Sequence, residues 1–147
     1  MRLITIRNLQ RRVPLDLAWL RRLAPFALEE CAALSPGAAF PLQALEEVAV
    51  AIVSDRRIAQ MHVEFMGIAG PTDVLTFDHG DIVISAETAR SYAAEYAQPV
   101  DHEIARYIVH GLLHLNGFDD REPQARRKMH TVQERVLRAC LRRMTVG

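Results

Sequence analysis

An α+β fold is expected for this chain: a small mixed four-stranded sheet packed with about five helices, in a single domain spanning residues 1–147. Three observations lead there. Short branched apolar runs alternate with longer amphipathic stretches along the chain. A tight turn at Asp78, His79 and Gly80 joins two of those runs directly, as in an antiparallel hairpin. Half of the 147 residues are apolar, enough to bury a core and too many for a disordered chain.

Taken in order, Met1 to Arg7 alternates branched and polar residues and reads as a strand. Pro14 and Asp16 open a helix to about Ala33, with Leu15, Ala18, Trp19 and Leu23 on one side and a kink or split expected at Pro25. Ser35, Pro36 and Gly37 form a breaker. Glu46 to Ser54 reads as a buried strand, and Ser54 or Asp55 caps a second helix running through Phe65. Gly67, Gly70 and Pro71 stop that helix. Thr72–Phe77 and Asp81–Ile84 are the strands of the hairpin. Ser85 caps a helix to about Ala97, closed by Pro99. Asp101 begins a helix to about Leu115, and a last helix spans Pro123 to Met144. Strands separated by helices pair in parallel, so the first three are expected to be parallel and the hairpin return antiparallel.

The longest uninterrupted apolar stretch, Val48–Val53, is too short to cross a bilayer. The arginines at 2, 7, 11 and 12 flank no long apolar region, so a secretory signal is not expected, and a soluble, cytoplasmic protein without a membrane partner is. Cys31 and Cys140 stand far apart in helix-like apolar contexts, which suits reduced core thiols. Net charge is zero but uneven. Residues 36–120 carry a balance of −9 and residues 121–147 a balance of +6, and all the basic residues except Lys128 are arginine. Arginine forks suit phosphate, so the terminal segments can meet nucleic acid, although any one such charge is most simply a solvated helix face.

The most informative run is His110, Gly111, Leu112, Leu113, His114, Leu115, Asn116, Gly117, Phe118, Asp119, Asp120. Histidines four apart on a helix project from one face. Gly117 can end that helix in a left-handed cap and turn the chain back, so that Asp120 falls where a third ligand closes on the same ion. Two imidazoles and a carboxylate suit a zinc-type site with an open position. A zinc peptidase would place a glutamate directly after the first histidine as general base, and Gly111 cannot serve. Hydrolysis of a phosphodiester remains, since coordination lowers the pKa of water from about 15.7 toward about 7 and polarises a phosphoryl oxygen. Two histidines and a carboxylate also make the facial triad of iron(II) oxygenases, but such enzymes build it on β scaffolds.

The string HGLLHLNGFD, with PTDVLTF at Pro71–Phe77 and GDIVIS at Gly80–Ser85, resembles the YbeY family of bacterial endoribonucleases. The likeness covers most of residues 45–140, including Met129 and Glu134 in the last helix. The resemblance implies an α+β fold, a metal ion usually taken as zinc and held by three histidines, and work in ribosomal RNA maturation and ribosome quality control. The implied partners are ribosomal RNA and small-subunit proteins or assembly factors. Asp120 stands where the family has its third histidine. A carboxylate there makes the centre less positive and lets Fe2+ or Mn2+ compete with Zn2+. Met66 stands where the family has an arginine thought to serve RNA binding or cleavage, His62 where it prefers asparagine, and Thr76 where it has serine.

The expectation is therefore a metal-dependent endoribonuclease with His110, His114 and Asp120 as ligands and no general base identified by spacing. The alternative is a ribosome-associated metal-binding module that has lost cleavage, motivated by Met66 and Asp120. Arg56, Arg57 and Arg106 are the candidates to replace the family arginine. The resemblance puts Pro71, Thr72 and Asp73 in the cleft, though each has a sufficient structural role in starting the strand. His79 reads as a turn residue and His130 as exposed. His102 lies two helical turns from His110, too far to share its ion. Trp19 and Tyr107 read as core or rim aromatics.

Overall fold

The computed structural model describes residues 3–35 and 41–146. The Pro36–Gly37 breaker lies outside them. The elements follow the order β1 (Leu3–Asn8), α1 (Leu17–Ala32), a 3-10 turn (Leu42–Ala44), β2 (Glu47–Val53), α2 (Asp55–Met66), β3 (Val74–Phe77), β4 (Asp81–Ser85), α3 (Ala86–Glu95), α4 (Val100–Leu115) and α5 (Pro123–Thr145). The sheet is mixed and four-stranded, in the order β1-β2-β4-β3. The fold is α+β, as expected.

One part of the expected topology is corrected. The parallel strands are β1, β2 and β4, whereas β3 pairs antiparallel with β4 at the sheet edge. Burial explains the exchange. Ile82, Val83, Ile84 and Ser85 of β4 are all buried, so that strand needs cover on both faces and takes the interior position. In β3 only Leu75 is fully buried, which suits an edge.

The pleat sorts the sheet into two faces. Ile6, Val48, Val50, Ile52, Ile82 and Ile84 enter the main core with α1, α3, α4 and α5. Val53, Leu75 and Val83 turn the other way and pack with Ile58 of α2. The interface between α4 and β4 is close: a Cβ at Gly111 would lie 2.8 Å from Ile82 Cδ1 and Cγ2. Gly111 thus lets α4 sit down on the sheet, and its flanking histidines are carried at that depth.

Helix ends follow the capping chemistry. Asp16, Ser54 and Ser85 cap α1, α2 and α3 by accepting main-chain N–H bonds, and Gly67 closes α2 at φ 67°. Helix α1 continues past Pro25 to Ala32, so the proline does not split it. Buried Asn116 accepts from Leu42 N (3.0 Å) and donates to Cys31 O (3.0 Å), tying the end of α4 to α1 and the following turn. Cys31 and Cys140 are both free thiols and buried. None of the described helices is long and apolar enough to cross a membrane.

Candidate metal centre

Helix α4 ends in a Schellman turn: Gly117 N–H bonds His114 O (3.0 Å) and Phe118 N–H bonds Leu113 O (3.0 Å). Gly117 takes φ 90°, where a side chain would be strained. This reversal brings residue 120 back over the last turn of the helix. Asp120 Oδ2 lies 3.9 Å from His110 Nε2 and 3.6 Å from His114 Nε2. The two Nε2 atoms are 3.1 Å apart. His110, His114 and Asp120 thus offer one ligand atom each within 4.8 Å of one another, a group that can hold a metal ion. Asp119, adjacent in sequence, is exposed and accepts from Arg121 N instead.

The tautomers test the fit. His114 Nδ1 lies 3.1 Å from Phe118 O, a carbonyl that can only accept, so Nδ1 carries the proton. His110 Nδ1 lies 2.7 Å from Gln133 Oε1. The Gln133 amide is oriented by its own Nε2, which donates to Glu134 Oε2 at 3.0 Å. Arg106 in turn holds Glu134 with two bonds, Nε at 2.9 Å and Nη2 at 3.1 Å, and also pairs with Glu103. In the neutral tautomers that these bonds select, both Nε2 lone pairs converge with a carboxylate oxygen. Acceptors so close repel unless a proton or a metal cation lies among them. A tetrahedral ion bound at about 2.0–2.2 Å spaces its ligands by about 3.3–3.6 Å, close to what is seen. Burial, then the neighbouring His110, lowers the His114 pKa against the opposing pull of Asp120, which favours the neutral imidazole that a metal needs.

Two cavities meet at this point. The larger, about 650 Å3, is bounded by Thr72–Thr76 on one wall and by His114, Phe118 and Arg121 on the other, with His62 and Met66 at its edge. The smaller, about 400 Å3, lies between α4 and α5. His110, Asp120 and Asp73 line both.

Thr72 and Asp73 line the cleft and also keep their structural role, since Asp73 Oδ1 accepts from Val74 N and from the Thr72 hydroxyl. His62 lies at the cleft edge with Nδ1 2.9 Å from Gly70 O. Of the arginines expected to replace the one absent at Met66, Arg56 and Arg57 are exposed on α2 and line neither cavity. Arg106 reaches the smaller cavity but is committed to Glu103 and Glu134. His102 stacks on Trp19 with centroids 5.2 Å apart, away from the ligand set. His79 lies in the hairpin turn beside Asp81. Gln133, Arg126 and His130 were not found as site residues by spacing, because only tertiary packing brings α5 against α4. His130 is exposed, as expected, yet it borders the smaller cavity.

Comparison with known proteins agrees with this architecture. The family model "Endoribonuclease YbeY" matches residues 5–140. Endoribonuclease YbeY of Heliobacterium modesticaldum is 31% identical over 140 residues, covering 81% of this chain and 80% of the relative. That of Thermobifida fusca is 32% identical over 142 residues, covering 85% and 86%. That of Phocaeicola vulgatus is 36% identical over 98 residues, covering 62% and 71%. The solution structure of TM1509 from Thermotoga maritima superposes with a TM-score of 0.62 at 26% identity, covering 93% of this chain and 88% of that one. This chain belongs to the YbeY endoribonuclease family.

Proposed function

We propose that this protein is a metal-dependent endoribonuclease that cleaves phosphodiesters in ribosomal RNA during its maturation and in ribosome quality control. The observation that carries the proposal is the convergence of His110 Nε2, His114 Nε2 and Asp120 Oδ2 where the two cavities meet. When bound, the ion supplies Lewis-acid polarisation of a phosphoryl oxygen and activation of water. Zn2+ is the proposed ion, with Fe2+ and Mn2+ as competitors because Asp120 adds a hard, charged oxygen ligand.

The chain's own residues supply the rest. Gln133 and Phe118 O hold the ligand tautomers, and a cavity lies on either side of the ligand set. Support for RNA as substrate comes from the name its relatives carry and from the net positive charge of residues 121–147. Small-subunit proteins or assembly factors in the cytoplasm are the proposed partners.

The test pairs elemental analysis with cleavage of ribosomal RNA fragments. Purified protein should hold about one transition metal per chain, and His114→Ala should lose both metal and cleavage. RNA cleavage unchanged in the metal-free variant would overturn the proposal.

A second function is favoured by one observation. Met66 stands half-exposed at the edge of the larger cavity and brings no cation there. The corresponding protein is a ribosome-associated module that binds metal and RNA without cutting. In that case the unaltered protein is inactive, and Met66→Arg with Asp120→His creates cleavage.

A further inference from the structure

The smaller cavity has a construction of its own. Its volume of about 400 Å3 falls in the range of about 300–1,000 Å3 common for ligand sites. Met129, 1% exposed, lies in its apolar lining, and Tyr92 and Tyr107 add aromatic surface. Tyr107 Oη is buried and, among the described residues, makes no hydrogen bond of ordinary geometry, although Glu103 lies near. Arg126 and His130 stand at the α5 side. Arg126 Nε donates to the main-chain oxygen of Asp120 at 3.1 Å, so the guanidinium is anchored to a ligand-bearing residue. Its two Nη groups make no hydrogen bond among the described residues, whereas both Nη groups of Arg106 are taken. The apolar and aromatic part of a lining that is otherwise polar, with an anchored guanidinium whose Nη groups are uncommitted beside it, matches the two halves of a nucleotide, a planar base and a phosphate. The cavity shares His110 and Asp120 with the ligand set, so its occupant abuts the reacting group.

We infer that the cavity between α4 and α5 is a nucleotide subsite, in which Arg126 holds the phosphate adjacent to the scissile one and Tyr92 packs against the base. The inference rests on the endoribonuclease reading and adds the residues that hold the strand in a chain with Met66 at the family's arginine position.

Binding of a short, fluorescein-labelled, 2′-O-methylated single-stranded RNA, followed by anisotropy across a salt series, tests it. Metal content is measured in parallel for each variant. Arg126→Gln should weaken binding about tenfold and reduce the slope of log K against log salt by about 0.7, the value for one phosphate contact on a single strand. Arg126→Lys should retain that slope. Tyr92→Ala should weaken binding about tenfold with the slope unchanged, because it removes no charge. Arg127→Gln, an exposed cation of the same helix outside the cavity, should change affinity by less than about twofold. Wild-type affinity and slope in Arg126→Gln would overturn the subsite while leaving the endoribonuclease reading standing. An equal loss in Arg126→Lys, with the slope intact in both variants, would overturn it too. Failure of the unaltered protein to bind or cleave RNA would remove both.

Discussion

Gln133 accepts a hydrogen bond from His110 Nδ1 at 2.7 Å, and this contact decides which ring nitrogen faces the ligand cluster. The preference is relayed from Arg106 through Glu134 to Gln133, so a residue of α5 sets the chemistry of one on α4. Partners of this kind are worth about 10–100-fold in metal affinity. Gln133→Leu should weaken metal binding by that factor in a chelator competition while leaving the far-UV circular dichroism unchanged. Unaltered affinity would show that the tautomer is fixed by something else.

Glu134 is the middle of that relay. Burial pushes its pKa up, but hydrogen bonds from Arg106 and Gln133 and the Arg106 charge outweigh it and hold the carboxyl below its ordinary value. A depressed carboxyl stabilises the fold above its unfolded pKa, near 4.5, and loses that contribution as pH falls through the lower folded value. Glu134→Gln should therefore cost about 1.5–3 kcal/mol at pH 7, read from urea unfolding. The gap between the two proteins should close progressively below pH 4.5.

Gly111 has a steric role that can be isolated. A Cβ there meets three Ile82 side-chain atoms at 3.0 Å or less, and Ile82 is fully buried. Gly111→Ala should destabilise by about 1–3 kcal/mol through overpacking, less the roughly 1 kcal/mol that alanine gains in a helix. In an Ile82→Ala background the same change fills space and should be neutral or stabilising. A double-mutant cycle measures the coupling directly, and additivity within about 0.5 kcal/mol would refute the contact.

Much of this arrangement was legible in residue order because it is local. The i, i+4 histidines, the glycine after them and the caps at Asp16, Ser54 and Ser85 act within a few residues, so periodicity and turn chemistry reveal them. The position of β3 was not legible in that way. Strand neighbours depend on which run is apolar on both faces, and here β4 outcompetes β3 for the interior. Pro25 was legible as a residue inside the first helix; that α1 continues through it to Ala32, with Pro25 itself on the exposed side, was not. The α5 contribution was hidden for a different reason. Gln133 is one of two glutamines on an arginine-rich helix, and only the packing of α5 on α4 brings it to His110. Asn116 likewise reads as a helix-end residue until Leu42 and Cys31 are brought to it.

The thiols give a test of the core. Burial is the largest cause that raises both, Cys140 to about 11 and Cys31 further, with nearby acidic charge adding to it. Neither forms appreciable thiolate at pH 8, so native protein should react with an aromatic disulfide reagent only as fast as it opens. Full reaction of both thiols within the mixing time would contradict that burial.

The central claim is that His110, His114 and Asp120 bind one divalent transition metal ion, and elemental analysis of purified protein against His114→Ala tests it most directly. The prediction is about one equivalent in the unaltered chain and a near-empty variant of the same fold. Equal metal in both proteins, or none in the unaltered chain after expression in metal-supplemented medium, would contradict it.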